Sequence, residues 1–160
     1  DNTLAGGESA TDVIGIQQID DMVHTPVNAQ LTDLWRWMFA GVNRTNYIME
    51  FKNKIDFPDK PRVLGETRFL RAYYYFELVK FFGDVPLSVD QRFLFGDQFE
   101  VERTPKALIY DQIELDLIFA IENLEYTTPD IGRATKGSAQ AMLGKLYLFQ
   151  ENYIDYTDVM

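Results

Sequence analysis

At 160 residues the chain has room for one domain with a real core, and 46% hydrophobic with 25% charged residues is ordinary for a globular fold. Its 25 acidic against 15 basic residues give a formal net charge of −10, which argues against nucleic acid or an anionic lipid surface as partner, since both require a basic footprint. Cysteine is absent, so neither a disulfide framework nor a cysteine-ligated metal site can form. No apolar run reaches the ~18 residues of a membrane-spanning helix. No basic stretch followed by an apolar one opens the chain as a signal peptide would.

In chain order, residues 1–28 read as irregular. Gly6-Gly7 marks a turn, a short helical turn fits between Val13 and Val23, and Thr25-Pro26 breaks it. Asn28 is a suitable N-cap for a long helix from Ala29 to Ile55. Its apolar stripe is Leu31, Leu34, Trp35, Met38, Val42, Ile48, Phe51 and Ile55, with Trp35 and Trp37 both read as packing residues. Gly41 in mid-helix predicts close backbone approach by a neighbour, against a cost of about 1 kcal/mol relative to Ala.

A second long helix is predicted from Pro61 to Phe82. Seven aromatics fall within Phe69–Phe82, and the expected buried side is Phe69, Tyr73 and Phe76, with Leu70, Tyr74, Leu78 and Phe81 as a second stripe. A helix so apolar on two sides belongs inside a stack of helices. Glu66 suits the positive end of this helix, and Arg71 and Glu77 are expected to make ion pairs or hydrogen bonds between helices. Residues 83–103 carry no helical period and read as a long loop, with a short extended piece at Val85–Val89.

Thr104-Pro105 then opens a helix, Thr as N-cap and Pro at the first helical position. Its stripe is Ile109, Ile113, Leu117, Ala120 or Ile121, and Leu124. A last full helix runs from Thr135 to Glu151, and Tyr153–Met160 begins another. The fold class is all-α, in antiparallel helix pairs with one long irregular loop. Leu143-Gly144-Lys145-Leu146-Tyr147 reproduces the L-G-x-x-Y core of a tetratricopeptide repeat. The aromatic helix aligns with it at an offset of 68, twice the 34-residue period, placing Leu78 on Leu146 and Gly83 on Glu151. Stopping at Met160, halfway through a helix, suggests a fragment of a longer protein.

Chemistry has little to work with. His24 is the only histidine and sits in a polar loop, so a histidine-centred metal site or catalytic triad is excluded within this segment. Asp20-Asp21 and Glu100-Val101-Glu102 lack calcium-loop spacing, and Gly6-Gly7 is followed by neither a phosphate-loop Lys nor a dinucleotide fingerprint. No cofactor and no metal are expected.

Gly65-Glu66-Thr67-Arg68-Phe69-Leu70-Arg71-Ala72-Tyr73-Tyr74-Tyr75-Phe76-Glu77-Leu78, followed by Phe82-Gly83-Asp84-Val85-Pro86-Leu87, resembles the signature of SusD/RagB-type proteins. Trp37 to Ile48, with Asn43 and Asn46, is similar to the family's W-x-x-x-Y-x-x-I-x-x-x-N helix. Arg103-Thr104-Pro105 with Tyr110, Ile113, Asp116 and Leu117 resembles its R-x-T/P-x-x-x-x-Y-x-x-I-x-x-D-L element. Gly132-Arg133-Ala134-Thr135-Lys136-Gly137 resembles the G-R-A-T-K-G lead-in to a repeat helix, and Asp1 with Gly6-Gly7 a polar D-x-x-x-x-G-G loop.

The resemblance implies a non-catalytic, surface-exposed outer-membrane lipoprotein that binds glycans, or less often peptides, for import through a SusC-like TonB-dependent barrel. It also implies that residues 1–160 are the helical scaffold part of one domain whose lipid anchor and C-terminal half lie elsewhere. Ligand contacts in the family come partly from the loop after the G-D-V-P-L segment. Here that loop is Ser88–Glu102, and the candidate ligand-binding residues are Arg92, Phe93, Phe95, Asp97, Gln98 and Phe99. Packing of the three Phe onto the scaffold is the alternative for the loop. A helical-repeat scaffold that binds a protein partner without a small ligand is the alternative for the whole.

Overall fold

The computed structural model describes residues 11–94, 96, 101–128, 130–151 and 158–159. These residues contain five helices: α1 Ile14–Asp20, α2 Ala29–Phe51, α3 Lys60–Phe82, α4 Lys106–Asn123 and α5 Lys136–Phe149. The predicted start of a helix at 153–160 falls almost wholly outside the described residues. The chain divides into two compact units, Asp1–Trp37 and Met38–Met160, with α2 running through the division.

In the first unit Asn28 is buried and does two jobs. Its Oδ1 accepts from the Leu31 N–H at 3.1 Å, capping α2 as its position predicts, and its Nδ2 donates to the Gly15 carbonyl of α1 at 2.9 Å. His24 is exposed. Trp35 is half-buried, but Trp37 is 68% exposed and is not the packing residue expected of it.

The second unit packs α4 against both α3 and α5. On α4 the predicted stripe holds: Ile109, Ile113, Leu117, Ala120 and Leu124 are buried, joined by one charged residue, Asp116. Each large apolar side chain so buried contributes about 1.5–3 kcal/mol. Phe69, Ala134 and Ala139 close around Ala120 and Leu124. Phe76 of α3 meets Phe149 of α5 edge-on at 5.1 Å.

Two expected faces are corrected. On α2 the buried side is Val42, Thr45, Asn46 and Met49, and the helix ends at Phe51, so Ile48 and Ile55 face outward. On α3 the buried side carries Gly65, Thr67, Arg71, Ala72, Tyr75, Phe76, Leu78 and Val79, while Leu70, Tyr73 and Phe81 are exposed. Aromatic spacing alone misplaced the face because α3 buries a charged arginine, which an apolar stripe does not anticipate. Gly41 behaves as predicted: a Cβ there would lie 2.5 Å from the Tyr74 ring, so only glycine admits α3 this close to α2.

Helix ends follow local chemistry. Gly83, at φ 65°, lets the chain turn away from α3, and Glu151 takes a similar φ of 58° after α5, in keeping with the repeat alignment of the two helices. Thr135 and Ser138 form a capping box that starts α5. At α4 the cap differs from expectation. Pro105, not Thr104, is the N-cap residue and offers no side-chain bond, so Asp84 Oδ1 accepts from the Lys106 N–H at 2.8 Å from across the loop. Arg103 Nη1 donates to the Asp84 carbonyl at 2.7 Å, and Val85 bridges Thr104 in antiparallel fashion. The extended piece predicted at Val85–Val89 is thus a single bridge. Together these contacts close the neck of the 86–103 loop.

Asp84→Ala should therefore destabilise the protein by about 1 kcal/mol, and Asp84→Asn, which keeps the acceptor oxygen, by much less. Urea unfolding midpoints of the two variants test the difference.

Candidate functional site

An irregular segment has no ladder for its peptide groups, so those it buries need partners from elsewhere. After Gly83 the partners come from side chains of α2 and α3. The Tyr75 hydroxyl accepts from Ser88 N–H at 2.8 Å and donates to the Ser88 carbonyl at 3.1 Å. Asn46 Nδ2 donates to the carbonyls of Ser88 and Gln91, at 2.9 and 2.8 Å. One turn earlier on α2, Asn43 accepts from Phe93 N–H at 2.9 Å and donates to the Phe93 carbonyl at 3.0 Å. Each amide side chain thus stands in for the edge of a sheet.

Arg71 orients these groups. Its Nε and Nη2 donate to the two carboxylate oxygens of Asp116, both at 2.7 Å, and both residues are fully buried. Its Nη1 donates to Asn46 Oδ1 at 3.0 Å, which fixes the Asn46 amide with its NH2 toward the loop, and to Asp90 Oδ1 at 2.9 Å. Asp90 sits at φ 63° in the turn of the loop, and its other oxygen pairs with Lys52. Gln112 donates to Asp116 at 3.1 Å. Arg68 approaches Asp116 at 3.9 Å and lays its guanidinium 4.0 Å from the Phe119 ring centre, leaving its buried Nε without a hydrogen bond. The expectation that Arg71 links helices is met, with α3, α4, α2 and the loop all joined at one guanidinium.

The electrostatics follow from burial and pairing. Burial pushes the Asp90 carboxyl up, but hydrogen bonds from Lys52 and Arg71 outweigh it and leave it below its ordinary value. Burial opposes the Arg71 charge too, yet the Asp116 and Asp90 contacts hold it well above its usual range. For Asp116 burial wins, raising its carboxyl despite Arg71. The two directions pull apart across one pair. The bidentate 2.7 Å geometry is that of carboxylate on guanidinium, so burial weakens Asp116 ionisation without reversing it. The Tyr75 hydroxyl is pushed up to about 12 by burial and remains a neutral donor. Glu66, instead of serving the helix terminus, receives Arg133 at 2.9 and 2.5 Å and Arg62 at 2.9 Å; these bonds outweigh burial and lower its carboxyl. Glu77 pairs with Lys80 on its own helix.

The loop's outer side meets α2. Arg92 donates to Glu50 Oε2 at 2.8 Å and stacks its guanidinium 4.7 Å from the Tyr47 ring centre. The Phe93 ring meets Phe39 edge-on at 5.7 Å. Asn43, Arg44, Tyr47, Ile48 and Arg92 line an open groove of about 420 Å³. Of the six candidate ligand residues, the structure thus places Arg92 in this groove and the Phe93 ring against Phe39 of α2. Phe95, Asp97, Gln98 and Phe99 lie outside the described residues. Among the described residues no cluster of His, Cys, Asp or Glu side chains is placed to hold a metal. Asn43, Asn46, Tyr75 and Asp116 were readable only as motif letters. The signal for the last was a lone acid on the apolar side of α4, facing Arg71, the one arginine on the buried side of α3.

Arg71→Met would leave Asp116 buried without its bidentate cation, with only the Gln112 hydrogen bond and Arg68 at 3.9 Å beside it, and should cost about 3–5 kcal/mol in urea unfolding, and the double change Arg71→Met/Asp116→Leu should recover part of that loss. Amide exchange at Ser88 should accelerate in both, since Asn46, which holds the Ser88 carbonyl, loses its orienting donor. Because Asp90 and Glu66 titrate lower when folded, the folded state binds fewer protons. Their stabilisation is complete above about pH 5 and is lost as pH falls from there through the depressed folded values. Asp90→Asn should flatten the acid side of a Tm-against-pH curve.

Residues 4–148 match the SusD-like family described as starch-binding and associating with the outer membrane. SusD-like protein P2 of Formosa agariphila is 28% identical over 136 residues, covering 79% of this chain and 25% of that protein. A SusD-like protein of Bacteroides ovatus is 25% identical over 134 residues, covering 81% and 24%. The chain therefore spans about a quarter of the length of the curated relatives it matches. Among solved structures, a laminarin-binding SusD-like protein superposes with TM-score 0.86 at 34% identity, covering 97% of this chain and 34% of that one. A SusD-like protein of Bacteroides fragilis gives 0.79 at 32% identity, covering 90% and 29%. With the motif residues gathered at one buried arginine and the match running through almost the whole sequence, the chain belongs to the SusD-like family.

Proposed function

We propose that this chain is part of a cell-surface glycan-binding component of a SusC/SusD-like uptake system, held at the outer membrane and working with a TonB-dependent barrel. Support comes from the family's description as starch-binding and outer-membrane-associated, and from similarity to a protein named for laminarin binding. The observation that carries the reading is the clamped loop. Five scaffold side chains, Asn43, Asn46, Lys52, Arg71 and Tyr75, hold residues 88–93 in one conformation, which is the preorganisation that a weakly held sugar ligand needs. Arg92, Phe93, Phe95, Asp97, Gln98 and Phe99 remain the proposed contacts of that loop. Its role is binding without turnover, with oligosaccharide favoured over peptide.

A second reading is a scaffold for a protein partner. It is favoured by the outward face of α4, where Leu108, Leu115 and Ile118 are exposed along one side. Titration calorimetry of the full-length protein against a glycan panel and a peptide panel separates the two. Heat with a glycan supports the first, whereas silence across both panels favours the scaffold. Phe95→Ala with Phe99→Ala should weaken glycan binding about thirtyfold, about 1 kcal/mol for each aromatic lost, with the melting temperature unchanged. Affinity purification from native membranes should recover a large β-barrel protein, and its repeated absence would count against the import role.

A further inference from the structure

Helical spacing gives α2 two neighbouring faces after the division of units. Val42, Thr45, Asn46 and Met49 are buried, and the next face along carries Asn43, Arg44, Tyr47, Ile48 and Phe51. On this second face Tyr47 is 51% exposed, with Phe51 against it edge-on at 5.0 Å and the Arg92 guanidinium 4.7 Å from its ring centre. Arg92 is fixed twice, through its pairing with Glu50 and through the adjoining Phe93 peptide held by Asn43. Arg44 is exposed and makes no ion pair or hydrogen bond among the described residues. A further cation, Lys54, lies 4.4 Å from the Phe51 ring centre.

In a chain with net charge −10, Arg92 and Glu50 cancel each other beside an exposed tyrosine and leave the Arg44 charge uncompensated, a local reversal of sign. The groove's 420 Å³ falls within the range of small-ligand sites, about 300–1,000 Å³. An aromatic body beside fixed polar groups suits the apolar CH patch of a sugar ring. A free guanidinium suits a carboxylate or sulfate on it far better than a hydroxyl, because the hydrogen bond is charge-assisted.

Resting on the glycan-binding reading above, we infer that the Arg44–Tyr47–Arg92 groove is a subsite for an acidic sugar residue, carboxylated or sulfated. Tyr47 packs against the ring, Arg44 pairs with the acidic group, and Arg92 sets the tyrosine and the loop edge. Neutral saccharides then use the loop without this contribution.

The test is titration calorimetry of the full-length protein, at low and at high salt, with trigalacturonate, a sulfated galacto-oligosaccharide and neutral laminaritriose. One or both acidic probes should bind more tightly than the neutral one and weaken with salt. Arg44→Gln should cost about tenfold toward the preferred acidic probe and leave laminaritriose unchanged. Tyr47→Ala should weaken the acidic probe while Tyr47→Phe retains it, with thermal melts confirming that each variant is folded. Which acidic probe responds decides between carboxylate and sulfate. Binding of laminaritriose alone, or acidic binding indifferent to Arg44→Gln, overturns the subsite and leaves the glycan-binding reading standing. Binding of none of the three overturns the subsite, and silence across the wider glycan panel as well overturns the reading on which it rests.

Discussion

The second unit turns on a single buried guanidinium. Arg71 is placed by α3 where an apolar side chain would be expected, and all three of its nitrogens are engaged, by Asp116, Asn46 and Asp90. A charge in that position is tolerable only when fully paired, since burying it unpaired costs far more than any one contact returns. Its partners lie on α4, on α2 and in the loop, so these three elements cannot take independent positions while the arginine stays satisfied. An apolar core would have held the helices together as well. It would not have specified which carbonyls of an irregular segment face inward.

That specification is what the polar network adds. Among its described residues the loop after α3 has one bridge and no strand, yet Ser88, Gln91 and Phe93 find partners for their peptide groups on Tyr75, Asn46 and Asn43. The amide of Asn46 is turned one way by Arg71 on its oxygen, so its nitrogen can only address the loop. Orientation passes from an ion pair to an amide and from there to a backbone. Asp90, held in a left-handed conformation that a non-glycine residue adopts at some cost, is kept there by two cations.

Much of the helical frame was legible in the chain itself. Asn28 and Thr135 announced two helix starts through capping chemistry, the spacing of Ile109, Ile113 and Leu117 placed the inner face of α4, and Gly41 signalled the close approach made by Tyr74. Faces that mix polar and apolar burial were not legible. On α2 the inner side contains Thr45 and Asn46, and on α3 it contains Thr67 and Arg71, so a search for apolar stripes rotated α2 toward Ile48 and α3 toward its exposed Tyr73 and Phe81. The start of α4 was misjudged by one residue because its cap comes from Asp84, twenty-two positions away, and no local pattern encodes a remote acceptor. The groove beside Arg92 was half visible. The loop residue could be named, but Tyr47 and Arg44 come from the outward face of a helix treated as scaffold.

The closed neck at the base of the loop has a meaning beyond capping. Asp84 and Val85 on one side meet Arg103, Thr104 and Lys106 on the other, so the chain leaves the helical frame and rejoins it at one fixed point. A segment tethered this way is insulated: loop-closure entropy grows only slowly with length once the ends are joined. Residues inserted, removed or exchanged beyond Phe93 would leave the register of α3 against α4 untouched. Such an arrangement separates what must be preserved from what can diverge, and lets one helical frame carry different recognition surfaces without being rebuilt for each.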